Sequence, residues 1–332
     1  MDEYAPPDRA SRQAKVVDQE RLEDTSVRVI GSDVAADLIH LGLIGLSVGS
    51  VVREEQGSLF DKLGLDVAEL NYFQEQQKQG RADYTLATSD RYAIEEDTIF
   101  VPSNNNYFSG VVAGRSLNAL VNLVEGKPAP LRDDCFSGLE QRVSGEVLVV
   151  GAGGTGTYTA LSALLAGYDV CVVDQDVIET SNFNRQVLYG GRQGAYKAQV
   201  LAERLSPLGN VRGVIGLIQE QEELLHRYKD KTVFSCVDNT DARIYLDEQR
   251  AQARYTLIDT GTGPRNGRVH VADDTSLQDQ VVLIPEKKTS CVTAAPSVVM
   301  PNMIVGSLAV HQAMNDSHSP LLYKGLTNEV VE

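Results

Sequence analysis

A chain of 332 residues, 42% apolar and 23% charged, has the composition of about two folded domains and excludes wholesale disorder. Its net charge of −16 excludes a general nucleic-acid binder, which needs a net positive face, but leaves room for a small local phosphate site. Four cysteines (Cys135, Cys171, Cys236 and Cys291), none in a C-x-x-C pair, exclude a disulfide scaffold and a four-cysteine zinc site.

Residues 1–25 are polar and charged and read as a flexible N-terminus without a signal peptide. Val27–Ile30 predicts a short strand, and Ser32–Leu46 and Leu59–Gln79 carry helix-like apolar spacing. The longest apolar stretch, Leu38–Val52, is interrupted by three glycines and falls short of the roughly 20 residues that span a bilayer. A cytoplasmic protein with no membrane partner is therefore expected. Tyr92–Val101 reads as a strand, Pro102–Asn106 as a loop, and Ser116–Val124 as a helix stopped at Gly126. Gly126-Lys-Pro-Ala-Pro130 opens a linker. The expected organisation is a flexible segment 1–25, an N-terminal α+β domain 26–125, a linker 126–139 and a second domain 140–332. Negative charge is denser before residue 135 than after it. A solvated surface is the preferred reading, ahead of a docking face for a basic partner.

Beyond the linker the texture changes. Val147–Val150 is all apolar, as in a strand buried on both faces. Gly151-Ala-Gly-Gly-Thr-Gly156 follows at once, then a small-residue helix over Thr157–Ala166 that ends at Gly167, a residue suited to a left-handed cap. Val170–Val173 predicts a second buried strand, ending at Asp174. Further strands are expected at Val211–Ile218, Thr232–Val237 and Tyr255–Ile258. Helices are expected between them at Gly194–Leu205, Gln219–Tyr228 and Asp241–Ala253. Alternating strands and helices predict an α/β, Rossmann-like, mostly parallel sheet with helices on both faces.

A G-x-G-x-x-G segment between a strand and a helix lets backbone approach a phosphate, and the helix N-terminus offers free N–H groups to it. Gly151, Gly153, Gly154 and Gly156 are the candidates. Asp174, 18 residues past Gly156, is placed to accept from ribose hydroxyls. The bland alternative is a glycine-rich turn that serves helix–strand packing. Asp174-Gln-Asp-Val-Ile-Glu-Thr-Ser-Asn-Phe-Asn-Arg-Gln186 is dense in polar groups, Lys197 lies early in a helix, and Cys236-Val-Asp-Asn-Thr-Asp-Ala-Arg243 follows a later strand. Arg185 and Lys197 are cations suited to a triphosphate and Asp238 is a carboxylate suited to Mg²⁺. Hydride transfer with NAD would require neither.

V-L-V-V-G-A-G-G-T-G, V-V-D-Q-D-V-I-E-T-S-N-F-N-R-Q, G-A-Y-K-A-Q-V-L-A-E-R-L and C-V-D-N-T-D-A-R, in that order, resemble the ThiF-like superfamily, relatives of the ubiquitin-activating enzymes that adenylate carboxylates with ATP. The likeness covers about residues 140–315. It implies that the Gly151–Gly156 loop lies against the ATP phosphates and that Asp174 binds ribose. It places Asn182, Arg185 and Gln186 at the phosphates, has Lys197 neutralise charge developing on them, and has Asp238 bind Mg²⁺. Asp176 falls in the acidic block of the family. The implied reaction is attack of a carboxylate on the α-phosphate, helped by positioning and charge neutralisation. A symmetric homodimer is implied as well.

Two C-x-x-C zinc pairs, present in many relatives, are missing here. An upstream arginine segment has no clean counterpart, with Arg115 and Arg132 as candidates. Cys291 is the one cysteine considered as a nucleophile, an inert thiol being the preferred reading; Cys135, Cys171 and Cys236 read as structural. A segment of this length ahead of the adenylating domain resembles the peptide-modifying branch, of the microcin C and pantocin A maturation type. In that branch a winged-helix-like domain binds a leader peptide by strand addition. The resemblance therefore implies an enzyme that adenylates a carboxylate on a ribosomally made precursor peptide. Pro102–Asn106 and Tyr107–Phe108 are candidates for the peptide groove, a purely structural loop being the preferred reading there. The alternatives are adenylation of a small protein C-terminus or a modified tRNA base, a non-catalytic nucleotide-binding scaffold, and an NAD-dependent oxidoreductase.

Overall fold

A computed structural model describes Gln13 and residues 16–53, 58–63, 82–89, 93–95, 97–102, 106, 108–129, 143–272, 297–315 and 318–331. Two sheets organise them. The second contains β6 (Glu146–Val150), β7 (Asp169–Asp174), β8 (Val211–Ile215), β9 (Thr232–Ser235), β10 (Thr256–Thr262), β11 (Gly267–Ala272), β12 (Leu321–Lys324) and β13 (Glu329–Val331). Their order is β13-β12-β11-β10-β9-β6-β7-β8. The run from β10 to β8 is parallel, and β11, β12 and β13 extend it antiparallel. Strands that must be covered on both faces read as unbroken apolar runs. Val147, Val149, Val170 and Val172 enter one core and Leu148, Val150, Cys171 and Val173 the other. This is the expected Rossmann-like sheet.

Helices fill both faces. On the first lie α5 (Gly154–Ala166), α6 (Lys197–Leu205) and α9 (Val299–Asn315). On the second lie α7 (Glu222–Arg227) and α8 (Thr240–Ala253). The small residues of α5 and α9 are explained by their crossing. A Cβ on Gly306 would lie 2.7 Å from the Thr159 backbone nitrogen. α4 (Ser109–Val124) packs on the far side of α9 in the same way, with Gly114 against the Met300 carbonyl.

The first sheet contains β1 (Ser26–Ile30), β2 (Ser50–Arg53), β3 (Tyr84–Ser89), β4 (Ala93–Glu95) and β5 (Thr98–Pro102), in the order β2-β1-β3-β5-β4. α2 (Val34–Gly45) makes the β1-to-β2 crossover, and α1 (Gln19–Asp24) and α3 (Ser58–Leu63) flank it in sequence. β1, β2, β3 and β5 are parallel, and β4 alone is antiparallel. The winged-helix-like expectation for residues 26–125 is therefore corrected. A winged helix is built on a small antiparallel sheet, whereas parallel strands need helical crossovers, and Ser32–Leu46 supplies one in α2. The flexible reading of residues 1–25 is also corrected for its described part, because α1 buries Leu22 completely and Val17 is buried before it. One apolar core joins this sheet, α2, α4, α9 and the near face of the second sheet. Most of Leu59–Gln79 and residues 130–139 of the expected linker lie outside the described residues. Tyr92–Val101 divides, within the described residues, into β4 and the start of β5. No helix among the described residues is long and apolar enough to cross a membrane.

All of α2 is buried, including Asp37 and His40. Arg53 pairs with Asp37 at 2.7 Å and donates to the Gly31 and Ala36 carbonyls. Burial, and then the Arg53 cation, hold the His40 imidazole down at about 4, from 6.5. The unfolded chain therefore takes a proton that the folded chain refuses. Stability is full above pH 6.5 and falls as pH drops towards 4, by about 1.4 kcal/mol per unit from this group. Unfolding free energies from urea titrations should be level near pH 7 and approach that slope between about pH 6 and pH 5, and His40→Leu should flatten it.

Candidate active site

The parallel strands of the second sheet follow the order β8-β7-β6-β9-β10. β6 and β9 are parallel neighbours at which the order of strand addition reverses, from β6-β7-β8 on one side to β9-β10 on the other, and in such sheets the crevice beyond the strand ends at that reversal is where ligands bind. The loops after β6, β7 and β9 converge there. Gly151 N donates to Val173 O and Cys236 N to Val150 O, both at 2.8 Å. Gly151 sits at φ +95°, where a Cβ would lie 2.7 Å from the Cys236 carbonyl oxygen. The β6 loop thus rests directly on the loop that carries Asp238.

The four glycines divide by role. A Cβ on Gly156 would be 1.8 Å from Gly151 O, and one on Gly154 would meet Asn302 Oδ1 at 2.5 Å. These two are needed for packing. Gly153 is different, because the nearest atom to its missing Cβ is Gln186 Nε2 at 4.0 Å. It is also the N-cap of α5 and makes no side-chain cap hydrogen bond. The corresponding turn of the first sheet is closed by its own side chain: Asp33 caps α2 by accepting from Ala36 N at 2.7 Å. An uncapped helix N-terminus beside an open glycine is suited to an anion such as phosphate. Gln186, 1% exposed, faces the Gly153 turn with its Nε2 donor, and it is that nitrogen, not its unpartnered Oε1, that suits an anion.

Asp174 ends β7 and binds the same loop. Its Oδ2 accepts from Ala152 N at 2.6 Å and its Oδ1 from Asp176 N at 2.7 Å. Burial pushes its carboxyl up, and Lys197 and these two amides oppose the rise. Lys197 Nζ lies 2.8 Å from Asp176 Oδ2, and Lys197 N donates to Asp176 O. The structure therefore brings together the glycine loop, Asp174, Asp176, Lys197 and Gln186. Asn182 is buried and accepts from Glu179 N, closing a capping box. Arg185 donates to Ser181 O and Asn184 Oδ1 within its own segment. Asp238 is exposed, between the Val237 carbonyl, which Arg243 holds, and Asn239, which caps α8.

Three parts of the site escaped the sequence reading. Tyr189, fully buried, donates to Ala152 O at 2.6 Å and receives Thr157 Oγ1. Asn302 on α9 accepts from Thr155 Oγ1 at 3.0 Å. Asp259 on β10 pairs with both Arg243 and Arg268. Tyr189 lies three residues past Gln186, so proximity to a motif was a usable signal. The other two arrive from distant sequence. Tyr189→Phe should strand the Ala152 carbonyl and cost about 1–3 kcal/mol, read from the denaturation midpoint. Two expectations are corrected. Phe108 is 4% exposed, with its ring edge-on to His311, so it is core and not groove. Arg115 is fully buried in α4, with its carbonyl accepting from Asn328, and does not offer an exposed cation. Burial pushes the Cys236 thiol up, which fits an inert cysteine. Cys135, Cys291, Arg132 and Tyr107 lie outside the described residues.

A model of the ThiF family matches residues 131–316. The chain belongs to the ThiF family. Among curated ThiF relatives, "SUMO-activating enzyme subunit 2" of Dictyostelium discoideum is 26% identical over 178 residues, covering 49% of this chain and 27% of that protein. The "SUMO-activating enzyme subunit uba-2" of Caenorhabditis elegans is 28% identical over 138 residues, 40% of this chain and 24% of that protein. The "NEDD8-activating enzyme E1 catalytic subunit" of Schizosaccharomyces pombe is 28% identical over 160 residues, 44% of this chain and 36% of that protein. The matches span between 24% and 36% of these relatives. Among solved structures, E. coli MccB with AMPCPP and MccA is similar at TM-score 0.44 and 15% identity, covering 56% of this chain and 62% of that one.

Proposed function

We propose that this ThiF-family protein is an ATP- and Mg²⁺-dependent enzyme that adenylates a carboxylate of a ribosomally made precursor peptide. The carrying observation is the uncapped N-terminus of α5 beside Gly153, flanked by Asp174 and Lys197. In this reading the loop amides and Gln186 hold ATP phosphates, Asp174 and Asp176 face the ribose side, and Asn182 and Arg185 border the phosphates. Asp238 holds Mg²⁺, which when bound shares the phosphate charge. Lys197 leaves Asp176 for the α- and β-phosphates as charge builds there. The substrate carboxylate attacks the α-phosphorus, the bond to the bridging oxygen breaks, and pyrophosphate leaves. The gain comes from positioning and from neutralisation of the charge that develops on the phosphates.

Residues 26–125 form the peptide-holding unit, separated by 126–139 from the adenylating unit 140–332, and two copies pair as a homodimer. Support for the peptide comes from the first sheet, in which β2 and β4 are the edge strands among the described residues, the positions at which a peptide strand can be added. The test is pyrophosphate release from Mg-ATP with precursor peptides encoded beside this gene, with hydroxylamine added to trap the activated carboxylate. Release of pyrophosphate and AMP with formation of a peptide hydroxamate is expected. ATP binding with no pyrophosphate released for any such peptide would contradict the peptide reading.

A further inference from the structure

Asp259 is fully buried on β10, opposite Ser235 in register, and four groups converge on it or on its neighbour. Ser235 Oγ donates to its Oδ1 at 2.8 Å, and Arg243 Nη1 pairs with the same oxygen. Arg268 Nη2 pairs with Oδ2 at 2.8 Å. Thr260 Oγ1 donates to the Ser235 carbonyl at 2.8 Å. The two arginines then part. Arg243 also donates through Nη2 to the Val237 carbonyl, whereas Arg268 lies along Gly261 on β10.

The loop after β9 is thereby pinned at each residue but one. Cys236 N is held by Val150 O, Val237 O by Arg243, and Asn239 by its cap on α8, where it accepts from Ala242 N. Asp238, between them, is exposed and takes no part in these bonds. We infer that Arg243, oriented by the buried carboxylate of Asp259, is a positioning residue that fixes Asp238 for a divalent cation. Neither residue touches the ligand. The planar guanidinium spans a carboxylate on one nitrogen and a carbonyl on another, a bridge that a lysine ammonium does not reproduce. Residues behind a metal ligand typically change cation affinity by about 10–100-fold.

This inference rests on the assignment of Asp238 to Mg²⁺, and its test separates the two. ATP binding to the whole chain is measured by calorimetry, once with Mg²⁺ and once with chelator. Wild type should bind more tightly with Mg²⁺ by about tenfold or more, and Arg243→Lys should shrink that increment to below about threefold with chelator affinity unchanged. Arg268→Lys, which shares Asp259 but not the loop, should keep the full increment. Should Arg243→Lys not fold, Asp259→Asn carries the same expectation. A wild-type increment in Arg243→Lys, or equal loss in both lysine variants, would overturn the positioning role. Retention of the increment by Asp238→Ala would overturn the cation assignment itself, and the positioning role with it.

Discussion

Lys197→Ala should lose activity without losing stability. Lys197 is the first residue of α6, 7% exposed, with its ammonium on Asp176. A cation at a helix N-terminus opposes the helix dipole, and a buried ammonium is expensive to desolvate. What folding gains from a lysine there is limited to the pair with Asp176 and its pull on the Asp174 carboxylate. Its partner Asp176 is 57% exposed on its side chain, so water can solvate it once the lysine is gone. The melting temperature should hold within a few degrees, since the desolvation cost of the buried ammonium offsets much of a pair whose other partner is more than half exposed, leaving a net worth of about 1 kcal/mol. The ATP-dependent rate should fall by about 10²–10³, the usual loss when one group that stabilises developing charge is removed. A variant that melts early and loses activity only in proportion would make Lys197 a structural residue.

Gly156→Ala and Gly153→Ala should separate packing from binding. A methyl at 156 is driven to 1.8 Å from Gly151 O, a backbone atom with nowhere to retreat because Gly151 already rests on Cys236. The expected cost is about 3 kcal/mol, with ATP binding lost as the loop is forced apart. A methyl at 153 meets nothing closer than Gln186 Nε2 at 4.0 Å, and its φ of −74° suits alanine. That variant should keep the denaturation midpoint of the wild type and lose at least about tenfold in ATP affinity, because the methyl projects into the space the phosphate needs. Unchanged ATP affinity in Gly153→Ala would mean that the glycine-rich turn serves packing alone.

The second sheet was legible because its central strands are buried on both faces, which compresses them into short apolar runs such as Val147–Val150. Its antiparallel edge was not. β12 alternates buried and exposed over four residues, too short to stand out. α4 begins at Ser109, before the expected Ser116, because nearly all its residues are buried and no polar face marks its start. α6 begins at Lys197, after the expected Gly194, because Gly194 takes a left-handed φ of +84°. In the site, the glycine loop and Asp174 were visible as neighbours along the chain. Asp259 was not, since its pairing with Arg243 arises only when β10 lies beside β9 and α8 folds back over them. Asn302 reaches Gly154 only through the crossing of α9 on α5.

The most direct test of the central claim is the melting temperature of the protein with Mg-ATP, ATP plus chelator, ADP, AMP and NAD, since a ligand that binds only the folded chain raises it. Stabilisation by Mg-ATP, weakened by chelator and lost in Asp238→Ala, is the predicted result. Stabilisation by NAD alone, indifferent to Mg²⁺, would contradict the proposed adenylating site.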